Sequence, residues 1–474
     1  MKKISMILIG CIISMLTSCK RFIEVKAPTT SVNGQNVYTE NANAIAVMSG
    51  LLSHMSSWSG KGDVLQLSLV PELSADNLFM YDKSDLYLLQ YFQNSLTGIT
   101  TPTMPNKLWN NCYANIYTCN AAIEGITNSN TLTPNIKQQL LGEAYFLRAF
   151  CFFYLTNLYG AVPLTVSTDY AINTMLIRSP ASKVYELIIA DLNEAKSLLS
   201  INYLNGALTG TTDDRVRPTK AAAAALLARV YLFTKEYKKA EIESTNVILQ
   251  TGYYKLEDTE YAFNKNTKET IWALQPVASN GLNTSEGNFF IPGNAGLGSL
   301  NPVYLNEELL KDFEEKDLRK EKWIKSVTMQ NGVYFYSYKY KVKEDGELRE
   351  YSIVLRIAEQ LLIRAEARVE QNNISGAQED LNAVRKRAGL DETKAVDVEA
   401  LKEAILIERR HEFFTEWGHR WLDLKRTGNI HHVMREAAKA KGGIWDNYKA
   451  LYPIDIEELK KAPNLTQNSG YQGL

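Results

Sequence analysis

The chain has 474 residues, of which 45% are hydrophobic and 22% are charged. Its 52 basic and 53 acidic residues give a net charge of −1, which excludes nucleic-acid binding driven by charge alone. A chain of this length can bury a sizeable hydrophobic core.

The N-terminus predicts a secreted lipoprotein. Lys2 and Lys3 precede the apolar run 4–16, and the lipobox LTSC ends at Cys19. We therefore predict a signal peptide at 1–18 and lipidation of Cys19, with several acyl chains giving stable attachment. The alternative is a single apolar anchor helix, but the run is shorter than the roughly 20 residues that a membrane span needs. Removal of the signal peptide moves the net charge to about −3.

The segment after Cys19 predicts a tether and then one folded body. Residues 19–40 lack apolar periodicity and suit a flexible linker. The body at 41–474 begins with a helical pattern near 41–58 and a loop-rich stretch, and further helices follow from 105 to 250. The body contains three cysteines, Cys112, Cys119 and Cys151. Because this number is odd, we expect small buried side chains and not a disulfide framework.

Two helical signals stand out in the N-terminal part of the body, which we place at 41–250. Leu140, Leu147 and Leu158 lie on one apolar stripe, and Gly160 marks its end. Pro218 suits the first turn of a helix, and the five alanines at 221–225 allow a neighbouring backbone to approach closely. The spacing around this helix is similar to the tetratricopeptide pattern of helical pairs, and a second partial match begins near Ala365.

Residues 251–353 predict an irregular insertion between helical parts. The segment is rich in Gly, Asn, Thr and aromatic residues, and it contains strand-like runs at 270–275 and 333–342. Tyrosines alternate along the second run, which predicts a tyrosine-lined strand face, either exposed or in contact with a partner. Long loops on a rigid scaffold commonly carry binding sites.

The C-terminal helical part, 354–474, contains a run of charged and aromatic residues from Glu408 to Arg426. We interpret the run as structural ion pairing, because a carboxylate beside the core needs a cationic or hydrogen-bonding partner. For Glu408 and Glu412 we expect that partner to be Arg409, Arg420 or Arg426. No phosphate-binding loop, zinc motif or cysteine pair occurs in the sequence.

Five blocks in this order resemble the SusD/RagB family of nutrient-binding lipoproteins. Their positions and sequences are 142–164 (GEAYFLRAFCFFYLTNLYGAVPL), 217–240 (RPTKAAAAALLARVYLFTKEYKKA), 362–390 (LIRAEARVEQNNISGAQEDLNAVRKRAGL), 408–428 (ERRHEFFTEWGHRWLDLKRTG) and 452–471 (YPIDIEELKKAPNLTQNSGY). The resemblance implies a mostly α SusD-like fold, with tetratricopeptide-like pairs and a loop and short-strand insertion.

The resemblance also implies a role. Members bind oligosaccharides, or in some cases peptides, without cleaving them, and act as the lid of a SusC-type TonB-dependent transporter in the outer membrane. We expect a lipid-anchored protein that faces the cell exterior, with a periplasmic orientation as the alternative because Lys20 and Arg21 replace the acidic residues that often follow the cysteine. No cofactor is predicted, and the sequence leaves open whether calcium holds a loop.

Sugar binding requires aromatic ring faces beside polar side chains that bond the hydroxyl groups. Loop positions that could supply them are Asp76, Asn77, Tyr81, Phe289, Phe290, Tyr304 and Trp323. Two alternatives remain: the same lid with a peptide ligand, and a glycoside hydrolase, which would require two carboxylates about 5 to 10 Å apart in one pocket.

Overall fold

The structure, a computed structural model, describes residues 37–56, 63–99, 107–277 and 283–471. The signal peptide expected at 1–18, the lipidated Cys19 and most of the tether at 19–40 lie outside these residues. The division of the chain into these segments and the three parts of the body stays a prediction.

The N-terminal part is helical, with only short strands among its described residues. A 3₁₀ turn at Val37–Thr39 comes first, and the elements then follow as α1 (Asn41–Ser56), α2 (Asp63–Ser74), β1 (Leu78–Met80), α3 (Leu86–Phe92), α4 (Lys107–Asn128), α5 (Pro134–Tyr159), β2 (Val162–Pro163), α6 (Tyr170–Asn173), β3 (Arg178–Ser179), α7 (Ala181–Leu198), α8 (Lys220–Phe233) and α9 (Tyr237–Ile248). The helices predicted near 41 and 105 are confirmed, and α5 ends at Gly160 with φ of 78°.

The segment predicted as an insertion holds short strands and short helices. They are β4 (Thr270–Leu274), α10 (Ser285–Phe290), β5 (Val303–Leu305), α11 (Glu307–Asp312), α12 (Leu318–Lys322), β6 (Ile324–Met329), β7 (Gly332–Ser337) and β8 (Ser352–Arg356). The run 333–342 is therefore not one strand. The backbone leaves β7 after Ser337, and Tyr340 turns inward so that its hydroxyl accepts a hydrogen bond from the Ile353 N–H at 2.9 Å.

The C-terminal part returns to helices. They are α13 (Ile357–Glu370), α14 (Ile374–Arg387), α15 (Val398–Phe413), α16 (His419–Arg426), α17 (Ile430–Ala440), a 3₁₀ turn (Asn447–Ala450) and α18 (Ile456–Lys461). Asp397 caps α15 by accepting a hydrogen bond from the Ala400 N–H at 2.9 Å, and Asn373 caps α14 in the same manner.

The long helices form a continuous stack. Helix α4 packs on α5, α5 on α7, α7 on α8, α8 on α9, α9 on α13, and α13 on α14. The alanines of α8 make this close approach feasible, because Ala221 to Ala225 are all buried. The predicted helical pairs are thus α8 with α9 and α13 with α14, and a fold of mostly α type is confirmed.

The insertion is anchored at its root by a two-stranded antiparallel sheet. Strand β4 pairs with β8, with Thr270 opposite Arg356 and Leu274 opposite Ser352. All ten residues are buried, and β8 leads directly into α13. The insertion therefore leaves and rejoins the helical stack at one fixed place.

The three cysteines of the body are part of the core. Cys112, Cys119 and Cys151 are buried in α4 and α5, as predicted. None of the helices in the described ranges combines the length and the apolar character needed to cross a bilayer.

Candidate functional site

A small sheet places two aromatic residues on the outer side of the insertion. Strand β1 pairs antiparallel with β5, so that Phe79 lies opposite Tyr304. Because side chains alternate along a strand, their neighbours Leu78, Met80 and Val303 point inward and are buried, whereas Phe79 and Tyr304 are half-buried. The two rings lie 6.0 Å apart between their centroids.

The β6–β7 hairpin, a separate two-stranded sheet, lies against β5 through β7. Its Tyr334 ring meets the Tyr304 ring edge-on at 4.8 Å and the Tyr81 ring at 5.1 Å. Tyr81 is fixed by its backbone N–H, which donates to the Pro302 carbonyl at 2.7 Å. We call Tyr81, Tyr304 and Tyr334 the tyrosine surface; all three rings are partly exposed.

The tyrosine surface combines aromatic rings with polar groups. Burial, with the neighbouring Tyr334 and Glu307, raises the pKa of Tyr304, which keeps its hydroxyl protonated as a hydrogen-bond donor. The Tyr81 hydroxyl donates to the Asn331 amide oxygen at 3.4 Å, and Asn331 is exposed. Ring faces beside hydroxyl and amide groups are what a sugar ring needs for binding.

The structure brings together two of the seven ligand candidates, Tyr81 and Tyr304, and adds Tyr334. The sequence singled out the alternating tyrosines near residue 334 as exposed or partner-contacting but did not include Tyr334 among the ligand candidates. The signal that could have found it is that alternation. What the sequence lacked was the pairing partner, because Tyr81 lies 253 residues before Tyr334.

Phe289 and Phe290 lie away from this surface, in α10. Phe290 is buried, and its ring meets that of the half-buried Phe289 edge-on at 5.4 Å. Phe290 lines a small enclosed cavity of about 10 Å³ beneath the insertion. As a ligand candidate Phe290 is therefore corrected to a packing residue, because its ring faces no open surface.

Trp323 is likewise corrected to a core residue. Its side chain is 0% exposed, and the indole N–H donates to the Thr259 carbonyl at 2.7 Å. The Lys339 ammonium lies 4.9 Å from the ring centroid and the Phe263 ring lies 5.4 Å away. A ring enclosed in this way fixes loops to the body and leaves no face for a ligand.

Asp76 and Asn77 belong to a buried polar cluster. Asp76 accepts bonds from Arg410 at 2.9 Å and from Arg420 at 2.7 Å, and Asn77 donates to Glu72 at 3.0 Å. Burial alone would raise the pKa of Asp76, yet the two guanidinium groups hold it well below its ordinary value. Both candidates are corrected to structural residues, because their polar atoms already have protein partners.

The C-terminal charged run forms ion pairs as predicted, but with other partners. Glu412 pairs with Arg319 at 2.9 Å and also with Arg356 and Arg387, and Glu408 pairs with Arg319 at 2.7 Å. The arginines named from the sequence are engaged elsewhere. Arg409 and Arg426 bind Asp423, and Arg420 binds Asp76.

A wider cavity of about 900 Å³ opens among α9, α13, α15, α16 and α17. Four charged residues in its lining form ion pairs. Arg420 pairs with Asp76, and Arg426 pairs with both Asp423 and Glu366. These four charges are thus satisfied, and the lining also includes Lys235, Glu399 and Glu403. Within the described ranges, no group of three or more His, Cys, Asp or Glu residues could hold a metal ion.

Fold and surface together define a class: a mostly helical protein with tetratricopeptide-like pairs and a non-helical insertion that carries an exposed aromatic surface. Residues 22–232 match a family model described as "Starch-binding associating with outer membrane", and residues 317–471 match the model of the SusD family. The two matches together span most of the sequence. The chain belongs to the SusD family, whose members are starch- and glycan-binding proteins associated with the outer membrane.

Relatives and solved structures agree with this assignment. SusD-like protein P2 of Formosa agariphila is 27% identical, over 92% of this chain and 94% of that protein. A SusD superfamily protein from Bacteroides vulgatus superposes with a TM-score of 0.78 at 18% identity, covering 91% of this chain and 99% of that chain. A laminarin-binding SusD-like protein superposes with a TM-score of 0.74 at 21% identity, with coverage of 91% and 99%. The superpositions establish the SusD fold.

Proposed function

We propose that this protein is a cell-surface glycan-binding lipoprotein, which captures oligosaccharides and closes over a SusC-type TonB-dependent transporter as its lid. The observation that carries the proposal is the tyrosine surface. Three partly exposed tyrosine rings, Tyr81 just after β1, Tyr304 in β5 and Tyr334 in β7, meet beside the insertion of a starch-binding family fold. One of the SusD-like proteins of similar structure is described as laminarin-binding.

A lipid anchor supports the lid role. Lipid on Cys19 and a tether at 19–40 would hold the folded body at the outer membrane, beside a transporter in the same membrane. Sharing one membrane raises the effective concentration of the two proteins, so weak capture suffices for import. Closing a lid requires a hinge and no chemical step.

The buried carboxylates beside the insertion do not form the open site that a hydrolase needs. A glycoside hydrolase needs two carboxylates facing a sugar in one open pocket. Glu286 and Glu416 line a common cavity, but its volume is about 10 Å³, room for a water molecule and far less than a sugar ring. Glu412 and Asp76 are held by arginines, which leaves neither of them free to transfer a proton.

Calorimetric titration of residues 20–474 with maltoheptaose, laminarihexaose and a mixture of short peptides tests the proposal. We expect saturable binding of an oligosaccharide without product, weakened about tenfold by Tyr304→Ala through loss of one stacking ring. Tyr170→Ala is the matched control, because Tyr170 is 80% exposed in α6 and lies outside the tyrosine surface. Peptide binding, release of a cleaved sugar, or unchanged affinity in Tyr304→Ala would overturn it.

A further inference from the structure

The loop between β2 and β3 exposes a group of large hydrophobic side chains. Five of them, which we call the apolar surface, are more than half exposed: Val166, Tyr170, Ile172, Met175 and Ile177. The only charged residue among 165–177 is Asp169, whose carboxylate caps α6 by accepting a hydrogen bond from the Ala171 N–H at 2.8 Å. Grouped exposed apolar residues mark surfaces that bind a protein or a membrane.

This loop is fixed to the body, so the exposure of its side chains is a feature of the fold. Antiparallel pairing of β2 with β3 closes its base. The Glu124 carboxylate on α4 accepts hydrogen bonds from the Thr168 N–H at 2.9 Å and from the Thr168 hydroxyl at 2.6 Å. The Asn120 side-chain amide, one turn earlier on α4, donates to the Thr165 carbonyl at 2.9 Å. These contacts hold the loop against one side of α4.

The N-terminal end of the described body lies beside the same stretch of α4. Tyr38 is buried against Gly125 so closely that a Cβ atom at position 125 would lie 2.0 Å from the Tyr38 ring. Gly125 follows Glu124 directly, so one peptide bond separates the contact with Tyr38 from the contact with Thr168. Tyr117, two turns earlier on the same side of α4, is also exposed. The chain therefore enters the body next to the apolar surface.

The place of entry favours one partner for this surface. Residues 19–36 join the predicted lipidated Cys19 to the body, and eighteen residues span at most about 65 Å. A lipid anchor keeps the entry point within that distance of the membrane, so a lipid surface is the partner that the chain itself brings to the apolar surface. Isoleucine and methionine side chains suit the boundary between headgroups and acyl chains, and tyrosine is enriched at the level of the headgroups.

We propose that the apolar surface inserts into the lipid surface to which Cys19 is anchored and so fixes the orientation of the body on the membrane. Ile172 and Ile177 bury apolar area at the boundary of the acyl chains, and Tyr170 lies among the headgroups. An anchor at the end of a tether leaves the body free to rotate, and a second contact beside the entry point removes much of that freedom. The inference rests on the lipid anchoring in the proposed function, and it adds a membrane-binding surface to it.

Fluorescence quenching of the lipidated chain in vesicles of phosphatidylethanolamine and phosphatidylglycerol tests the proposal. Ile177→Cys carries the dye, and lipids with a nitroxide on the acyl chain quench it only at short range. The three cysteines of the body are buried, which directs the dye to the new thiol. We expect quenching of roughly half the fluorescence at position 177. Val396→Cys is the matched control, because Val396 is 74% exposed beyond α14, at the other end of the helical stack from α4, and should lose less than about a tenth.

A charge in the apolar surface should prevent insertion. Ile172→Asp in the chain labelled at position 177 should lower the quenching several-fold, because a carboxylate is costly among acyl chains. Val396→Asp is the control and should leave the quenching unchanged.

Equally weak quenching at positions 177 and 396, or quenching at 177 that persists in Ile172→Asp, would overturn the inference. Brighter fluorescence at 177 without quenching would also overturn it, because a second copy of the chain or residues 20–36 would then cover the surface.

These results are separate from those for the glycan. Ile172→Asp should leave the oligosaccharide affinity of the soluble body within about two-fold, because position 172 lies outside the tyrosine surface. That titration contains no membrane, so Tyr170→Ala remains a suitable control in it. Mass spectrometry measures the lipid on Cys19: a chain without lipid would contradict the anchor and the inference together, whereas a lipidated chain without quenching contradicts the inference alone.

Discussion

The C-terminal helices and the insertion use their conspicuous residues in opposite ways. Between Glu408 and Arg426 many charged side chains are buried and paired, as Glu412 is with Arg319 and Asp423 with Arg409. In the insertion the hairpin presents Tyr334 and Phe335 to its two faces, both partly exposed. The segment richest in sequence motifs is therefore scaffold, and the segment with the weakest patterns carries the partly exposed aromatic groups.

This contrast has an energetic basis. A buried charge that loses its partner costs several kcal/mol, so the arginine and carboxylate groups of the scaffold restrict one another to few arrangements. Substitution of a half-exposed tyrosine leaves no buried charge unpaired, so it changes the free energy of unfolding less. Substitutions in the two regions should therefore differ in kind: scaffold changes alter the free energy of unfolding, and insertion changes alter ligand affinity.

The largest expected effect is in the scaffold. Glu412→Gln keeps the shape of the side chain but leaves Arg319, Arg356 and Arg387 without their shared carboxylate, and should lower the free energy of unfolding by about 3 to 5 kcal/mol. Urea unfolding followed by circular dichroism measures the change. Glu399→Gln is the matched control, because that side chain is 85% exposed and should change stability by less than about 0.5 kcal/mol. Similar small losses of unfolding free energy in both variants would contradict the distinction between scaffold and insertion.

A second effect is a pH dependence at the root of the insertion. Burial raises the pKa of Glu286 to about 7, because its only described side-chain partner is the neutral Ser352 hydroxyl at 2.9 Å. The folded state therefore binds a proton between pH 4.5 and 7 that the unfolded state releases, and this contribution to stability is lost as pH rises through that window.

Glu286→Gln should remove this dependence. Relative to the unmodified protein, the variant should be about 2 to 3 kcal/mol more stable at pH 8 than at pH 5, measured by urea unfolding at both values. Glu72 also has a pKa raised by burial to about 7, but it titrates in both proteins and cancels in the difference. An equal difference at both pH values would contradict the assignment of the proton to Glu286.

The smallest effect on stability should come from the insertion. Tyr334→Ala removes the ring that joins Tyr81 to Tyr304, and should weaken oligosaccharide binding about tenfold while unfolding changes by about 1 kcal/mol. Calorimetry and urea unfolding of the same sample separate the two quantities. Val333→Ala is a suitable control, because Val333 is adjacent, 55% exposed and on the opposite face of the strand. A large loss of stability with unchanged affinity would make Tyr334 a scaffold residue.

Local sequence patterns were enough to predict the helices. The residues that meet at the candidate site could not be predicted in this way, because they are far apart in the sequence. The end of α5 at Gly160 and the packing alanines of α8 follow from residues within one turn. The partners of Glu412 do not, because Arg319 and Arg356 lie 93 and 56 residues away. An electrostatic argument from sequence shows that a buried carboxylate needs a cation but cannot say which one supplies it.

The aromatic candidates show the same limit. A tryptophan in a loop-rich segment can face solvent or fix the loop, and Trp323 does the second through Thr259, 64 residues away. Tyr81 and Tyr304 remain on the surface because β1 pairs with β5, a contact between segments more than 200 residues apart. Alternation along β7 predicted a tyrosine face, but the end of the strand at Ser337 depends on the tertiary position of Tyr340.

Hydrogen exchange with and without the tightest-binding neutral oligosaccharide tests the central claim most directly, because exchange reports where a ligand stabilises the backbone. We expect slower exchange in 302–305 and 331–337, the strands that carry Tyr304 and Tyr334, and no change in 408–426. Protection confined to 408–426, or to the cavity among α15, α16 and α17, would place the ligand in the scaffold and contradict the account.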